Sequence, residues 1–154
     1  MPSLIIEGVI ACLLTLPPTA SDMDTYLNCR EQYKKVEVVQ EWIPLLQTHF
    51  KSDDVLQASL MIYCESSGRP NAHNHNTNGT IDEGLFAFND KTWSWLQDKL
   101  KFTGDRKNPI LNIKVASWLF YNDGRGKHWY SSEHCWNYDF WYCTHRRFRT
   151  GVEW

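Results

Sequence analysis

Apolar residues recur along this chain in two rhythms, one of three to four residues and one of two, and the switch between them divides it into elements. Residues 22–35 are polar and show no sustained period. Val36, Val39 and Ile43 then keep helical spacing until Pro44 interrupts it. A proline suits a first helical position, so a helix is expected to restart at Pro44 and run to about Phe50. Ser52, Asp53 and Asp54 come next as capping residues, with Gln57 three beyond Asp54 in a box-like start. Leu56, Leu60 and Tyr63 then share one face, with Val55, Ser59 and Ile62 beside it. The pattern predicts a buried helix ending at Glu65.

The segment from Ser66 to Asn71 breaks that helix, and residues 73–82 alternate around Asn78-Gly79, a strong short-range hairpin signal. Gly84-Leu85-Phe86-Ala87-Phe88 reads as a third strand or extended segment. Asp90 is placed to cap a helix carrying Trp93, Leu96 and Leu100. Asn108-Pro109 opens another, with Ile113, Ala116 and Phe120 inward, and Asn122-Asp123-Gly124 ends it. The aromatic run of residues 137–143 is expected to wrap back onto the domain. The sum is an α+β fold, mostly helical, with one small antiparallel hairpin beside a cleft.

With 154 residues, one domain is expected over 21–154, including an aromatic C-terminal extension at 137–154. Residues 1–20 read as a signal peptide, with an apolar stretch from Gly8 to Leu16 followed by Pro17-Pro18-Thr19-Ala20. No other stretch has the length of a membrane span. The expected mature chain is therefore a secreted, extracellular monomer. Losing the leader removes Cys12 and leaves Cys29, Cys64, Cys135 and Cys143, an even count that suggests two disulfides in one of three pairings. An export signal also disfavours Cys64 as a nucleophile served by His73 or His75.

The formal charge of −2 is too small to steer an anionic polymer, so nucleic acid is not an expected partner. The basic run from His145 to Arg149 reads as a solvated face. His73 and His75 would share a strand face, but no third and fourth ligand follows at a recognised spacing. Neither a metal nor a cofactor is expected. Asn78-Gly79-Thr80 is also a glycosylation acceptor triplet.

The candidate chemistry lies in two carboxylates 17 residues apart. Glu65 ends the apolar run from Val55 to Cys64, where burial should raise its pKa and keep a proton available. A negative charge there also opposes the helix dipole, a local cost that hints at function. Asp82 lies near Asn74, Asn76, Thr77, Asn78 and Thr80, whose hydrogen bonds should keep it ionised. Acid-catalysed glycoside cleavage needs two carboxyl groups in such contrasting surroundings.

These residues resemble the lysozyme-like superfamily. Glu65-Ser66 through Ala72, Asn74, Asn76-Thr77, Gly79-Thr80, Asp82, Gly84 and Asn89 resemble the helix end and hairpin of chicken-type lysozymes. Trp42-Ile43-Pro44-Leu45, Cys64-Glu65-Ser66-Ser67-Gly68, Asn112-Ile113 with Ala116, and Tyr121-Asn122-Asp123-Gly124 are more similar to soluble lytic transglycosylases and goose-type lysozymes. The resemblance runs over residues 42–136. It implies a lysozyme-like glycosidase, with Glu65 as general acid and Asp82 stabilising or capturing the cationic centre, or positioning water. It also implies that Asn76 and Asn89 hold the sugar or Asp82, and that Tyr121 and Asn122 line the cleft near the acid. The implied partner is the peptidoglycan glycan strand. Three departures stand out: Ala87 where the family has a substrate-contacting Gln, Glu83 where an aromatic is common, and no eight-cysteine framework. A lytic transglycosylase giving anhydro products and a non-catalytic glycan-binding protein are the alternative readings.

Overall fold

In a computed structural model the protein is described over residues 20–138. Its chain divides into two compact units, one of residues 38–137 and one of residues 1–37 with 138–154. In the second unit the described segment is helical: α1 spans Ala20–Val38, continuing one residue into the other unit. This corrects the reading of residues 22–35 as patternless. Cys29, Tyr33 and Val36 form a buried stripe at helical spacing, but a cysteine and a tyrosine among charged neighbours make a faint periodic signal. The segment expected to be a signal peptide, Cys12, Cys143 and the aromatic run beyond Tyr138 lie outside the described residues.

Within residues 38–137, a 3-10 turn at Gln40–Trp42 leads into α2 (Ile43–His49), with Pro44 in its first turn. A second turn at Ser52–Asp54 leads into α3 (Val55–Ser66). Val55, Ala58, Ser59, Leu60, Met61 and Ile62 are all buried, so α3 is the central helix of the unit. Its expected capping box does not form: Asp54 makes no cap hydrogen bond and instead engages Tyr121 and Arg125. Ser67 closes the helix in a left-handed conformation (φ 52°), donating its N–H to the Tyr63 carbonyl. The Trp42 indole donates to the Gly68 carbonyl at 2.9 Å and fixes the exit of the chain.

Three short antiparallel strands follow in the order β1 (His73–His75), β2 (Ile81–Glu83) and β3 (Phe88–Asn89). Asn74 pairs with Asp82 and Asp82 with Asn89, so these three form one row across the sheet. Of the third strand or extended segment expected over Gly84–Phe88, only Phe88 is in a strand; Gly84–Ala87 is a tight turn, in which Ala87 donates its N–H to the Gly84 carbonyl. Gly84 has φ 86°, and a Cβ there would lie 2.3 Å from both the Arg106 carbonyl and the Asn112 amide. Leu85 and Phe86 are fully buried beneath this turn. An apolar run buried in a turn has the same composition as a buried strand, so composition does not mark where the turn gives way to β3.

The remaining elements are α4 (Asp90–Leu100), α5 (Pro109–Asn122), a 3-10 segment at Arg125–Ser132 and α6 (Glu133–Trp136). Asn89, rather than Asp90, is the cap residue of α4, and Asn108 caps α5. Phe50, Phe86, Phe88, Trp93, Phe120 and Trp129 pack in a continuous aromatic chain with centroids 5.2 to 6.1 Å apart. A disulfide joins Cys64 to Cys135 and so fastens the end of α3 to α6. Cys29 is also disulfide-bonded. No helix among the described residues is long and apolar enough to cross a membrane.

Candidate active site

The end of α3, the β2–β3 row, the start of α4 and the 3-10 segment enclose a cleft of about 130 Å³. Glu65 and Asp82 both line it, with Ala87, Asn89, Thr92, His128 and Trp129 among the surrounding residues. Glu65 reaches this place because α3 ends one residue later, against the cleft. Burial raises its pKa, a hydrogen bond from the Ser132 hydroxyl acts in the opposite direction, and the nearby Asp82 charge raises it further. The net effect is upward, the direction that a general acid requires.

Asp82 is held differently. Asn76 donates its amide to one carboxylate oxygen at 2.9 Å, and Asn89 donates to the other at 2.8 Å. Both amides also donate to the Thr80 hydroxyl, which in turn donates to Asn78. Thr80 is buried, so the hairpin loop is an ordered scaffold for one carboxylate. Asn89 does more, because its side-chain oxygen accepts the Lys91 N–H at the start of α4. One amide thus joins the carboxylate to a helix N-terminus.

Glu83 lies next to Asp82 in β2, where adjacent side chains leave opposite faces. It pairs with Arg106 at 2.6 Å and with Lys107 at 3.1 Å. The added negative charge expected beside Asp82 is therefore balanced by two cations. Ala87 lines the cleft with φ 46°, so the position keeps the backbone turn while offering no side-chain hydrogen bond.

Tyr121 and Asn122 are placed elsewhere. The Tyr121 hydroxyl donates to Asp54 at 2.7 Å and accepts the Lys51 N–H at 2.8 Å, at the opposite end of α3 from Glu65. Eleven residues of helix separate those ends, roughly 16 Å. Asn122 donates back to the Trp118 carbonyl. Their spacing after Pro109 is set by α5, and sequence proximity to a Gly-terminated helix end gave no indication of which end of α3 they meet. His73 and His75 do share a face, with ring centroids 5.8 Å apart. Among the described residues no group of three metal-binding side chains forms.

The segment of residues 125–136 has no periodic signal in the sequence, yet it supplies Trp129, Ser131 and Ser132. One signal was present: Cys64 precedes Glu65, and a bridge from Cys64 to Cys135 brings residues near 135 to the acid. The pairing was open among three choices, so the signal could not be used.

A family model for the transglycosylase SLT domain matches residues 49–131, more than half of the chain. The chain belongs to this family. No curated protein and no solved structure matches it. The SLT domain is lysozyme-like, and the helical unit with its small antiparallel sheet is that α+β fold. Membership in the SLT family indicates an activity directed at peptidoglycan. The matched span includes Glu65, Asp82 and Asn89 and stops at Ser131.

Proposed function

We propose that this protein is a secreted muramidase, hydrolysing peptidoglycan glycan strands with Glu65 as general acid and Asp82 as its ionised counterpart. The observation that carries the reading is the contrast across the cleft, where a half-buried Glu65, its pKa raised by desolvation, faces an Asp82 that accepts two amide donors. Glu65 gives its proton to the glycosidic oxygen as the C1–O bond breaks. Asp82 stabilises the positive charge that develops at C1. Water then supplies the new C1–O bond and returns a proton to the Glu65 carboxylate, so the acid is regenerated. Asn76 and Asn89 keep Asp82 aligned throughout. The Cys64–Cys135 disulfide suits an oxidising, extracytoplasmic setting.

The family match supports a second reading. A lytic transglycosylase uses the same acid, but the substrate's own hydroxyl closes on C1 and leaves an anhydro end. The two-amide clamp on Asp82 favours hydrolysis, since an intramolecular closure has less need of a second carboxylate. Turbidity of bacterial cell walls should fall with the wild-type protein and stay unchanged with Glu65→Gln. Equal clearing by both would remove Glu65 from its role, and no clearing by either would favour a glycan-binding protein without activity. Mass spectrometry of the products then separates reducing ends from anhydro ends.

A further inference from the structure

Ser132 is not among the residues that the family match covers, yet its hydroxyl is the donor that Glu65 receives. Its surroundings leave that hydroxyl little choice. The Trp136 indole donates to Ser132 Oγ at 3.1 Å, occupying a lone pair and directing the hydroxyl proton away from Trp136. Two acceptors remain for that proton, Glu65 Oε1 and the Trp129 carbonyl, which lies at 3.1 Å. The Trp129 carbonyl already receives the same indole N–H at 3.0 Å. Glu65 is thus the acceptor with the greater need.

We infer that Ser132 is a positioning residue for the acid: by donating to Oε1 it fixes the carboxyl orientation and leaves Oε2 to carry the exchangeable proton toward the cleft. The inference rests on the reading of Glu65 as the general acid. The geometry also accommodates both states of that acid. While Glu65 is ionised, Ser132 donates to it in a charge-assisted bond. When Glu65 regains a proton on Oε2, Oε1 remains an acceptor and the contact persists. The Trp136–Ser132–Glu65 chain is anchored by the Cys64–Cys135 disulfide, whose two cysteines neighbour Glu65 and Trp136.

The charged groups facing the acid are few. Asp82 lies across the cleft, and His128 lines it while paired with Asp123 at 2.7 Å. α6 carries two more titratable groups, Glu133, which is engaged with Asn137, and His134.

The test is the pH profile of wall clearing for wild type, Ser132→Ala, Ser132→Thr and Trp136→Phe, each checked for the native disulfide and for near-ultraviolet circular dichroism. Ser132→Ala removes a bond that favours the carboxylate, so the alkaline limb should move up by about one pH unit, with clearing at the optimum reduced about tenfold. Ser132→Thr keeps the hydroxyl and should restore both. Trp136→Phe leaves the Trp129 carbonyl without its donor and turns Ser132 toward it, so its limb should also move up although the serine is intact. An alkaline limb for Ser132→Ala that coincides with wild type overturns the inference, as does a threonine variant that behaves like alanine. If the alanine variant does not fold, the Trp136→Phe profile decides alone. Activity surviving in Glu65→Gln would instead overturn the assignment of the acid itself, whatever Ser132 does.

Discussion

Asn89 concentrates three functions in one amide: its oxygen caps α4, and its nitrogen donates to both Asp82 and Thr80. Substitutions can separate them. Asn89→Ser keeps a side-chain cap but loses the reach to Asp82, whereas Asn89→Ala loses both. Only the alanine variant should lose the Asn89 share of the cap, below about 1 kcal/mol because Asp90 also accepts the Lys91 N–H, measured by urea denaturation. Both should lose wall-clearing activity. Glu65 leads to a second prediction at this scale, from the upward shift of its pKa by burial. Folding favours its protonated form, so its contribution to stability is intact below the ordinary carboxylate range and is lost as pH rises through the elevated folded pKa. Glu65→Gln should therefore melt higher than wild type at neutral pH, and the gap should close as pH falls below that range. A constant gap across pH would show that the acid titrates normally.

Among elements, the Gly84–Ala87 turn holds the floor of the cleft. Asn112 is fully buried, accepts the Phe86 N–H at 3.0 Å and donates to the Arg106 carbonyl at 2.7 Å. Asn112→Leu leaves the Phe86 amide without a partner and should cost about 2 kcal/mol by denaturant titration. Gly84→Ala adds a methyl group where backbone and amide already stand, and should cost about 3 kcal/mol on the combined account of clash and left-handed strain. Elements with long periodic faces, such as α3 and α5, were legible in the sequence because burial imposes a 3.6-residue rhythm. So was the hairpin, through Asn78-Gly79. Less legible was α1, where Cys29 and Tyr33 supply the buried stripe, and the turn over Leu85 and Phe86, where burial has no period to reveal it. The cleft was legible only in part. Glu65, Asp82, Asn76 and Asn89 lie close in sequence, and their meeting follows from one helix end and one small sheet. Trp129 and Ser132 come from a distant 3-10 segment whose approach depends on long-range packing, which no local pattern encodes.

At the scale of the molecule, the Cys64–Cys135 bridge closes a loop with a sequence separation of 71. A loop of that length restricts the unfolded chain enough to contribute about 4 kcal/mol in the chain-entropy account. Replacing both cysteines with serine should lower the denaturation midpoint accordingly, and dithiothreitol treatment of the wild type should weaken wall clearing along with it. Retained activity after confirmed reduction of this bridge would show that packing alone holds residues 125–136 in place.

The shared amide at Asn89 has a consequence for motion. The Asn89 oxygen shares the Lys91 N–H with the Asp90 carboxylate while its nitrogen holds Asp82, so opening of the first turn of α4 should loosen one of the two grips on the anion. Slow exchange of the Lys91 amide proton with deuterium should accordingly accompany a competent cleft. A ligand that immobilises Asp82 should slow that exchange again, although it need not touch the helix.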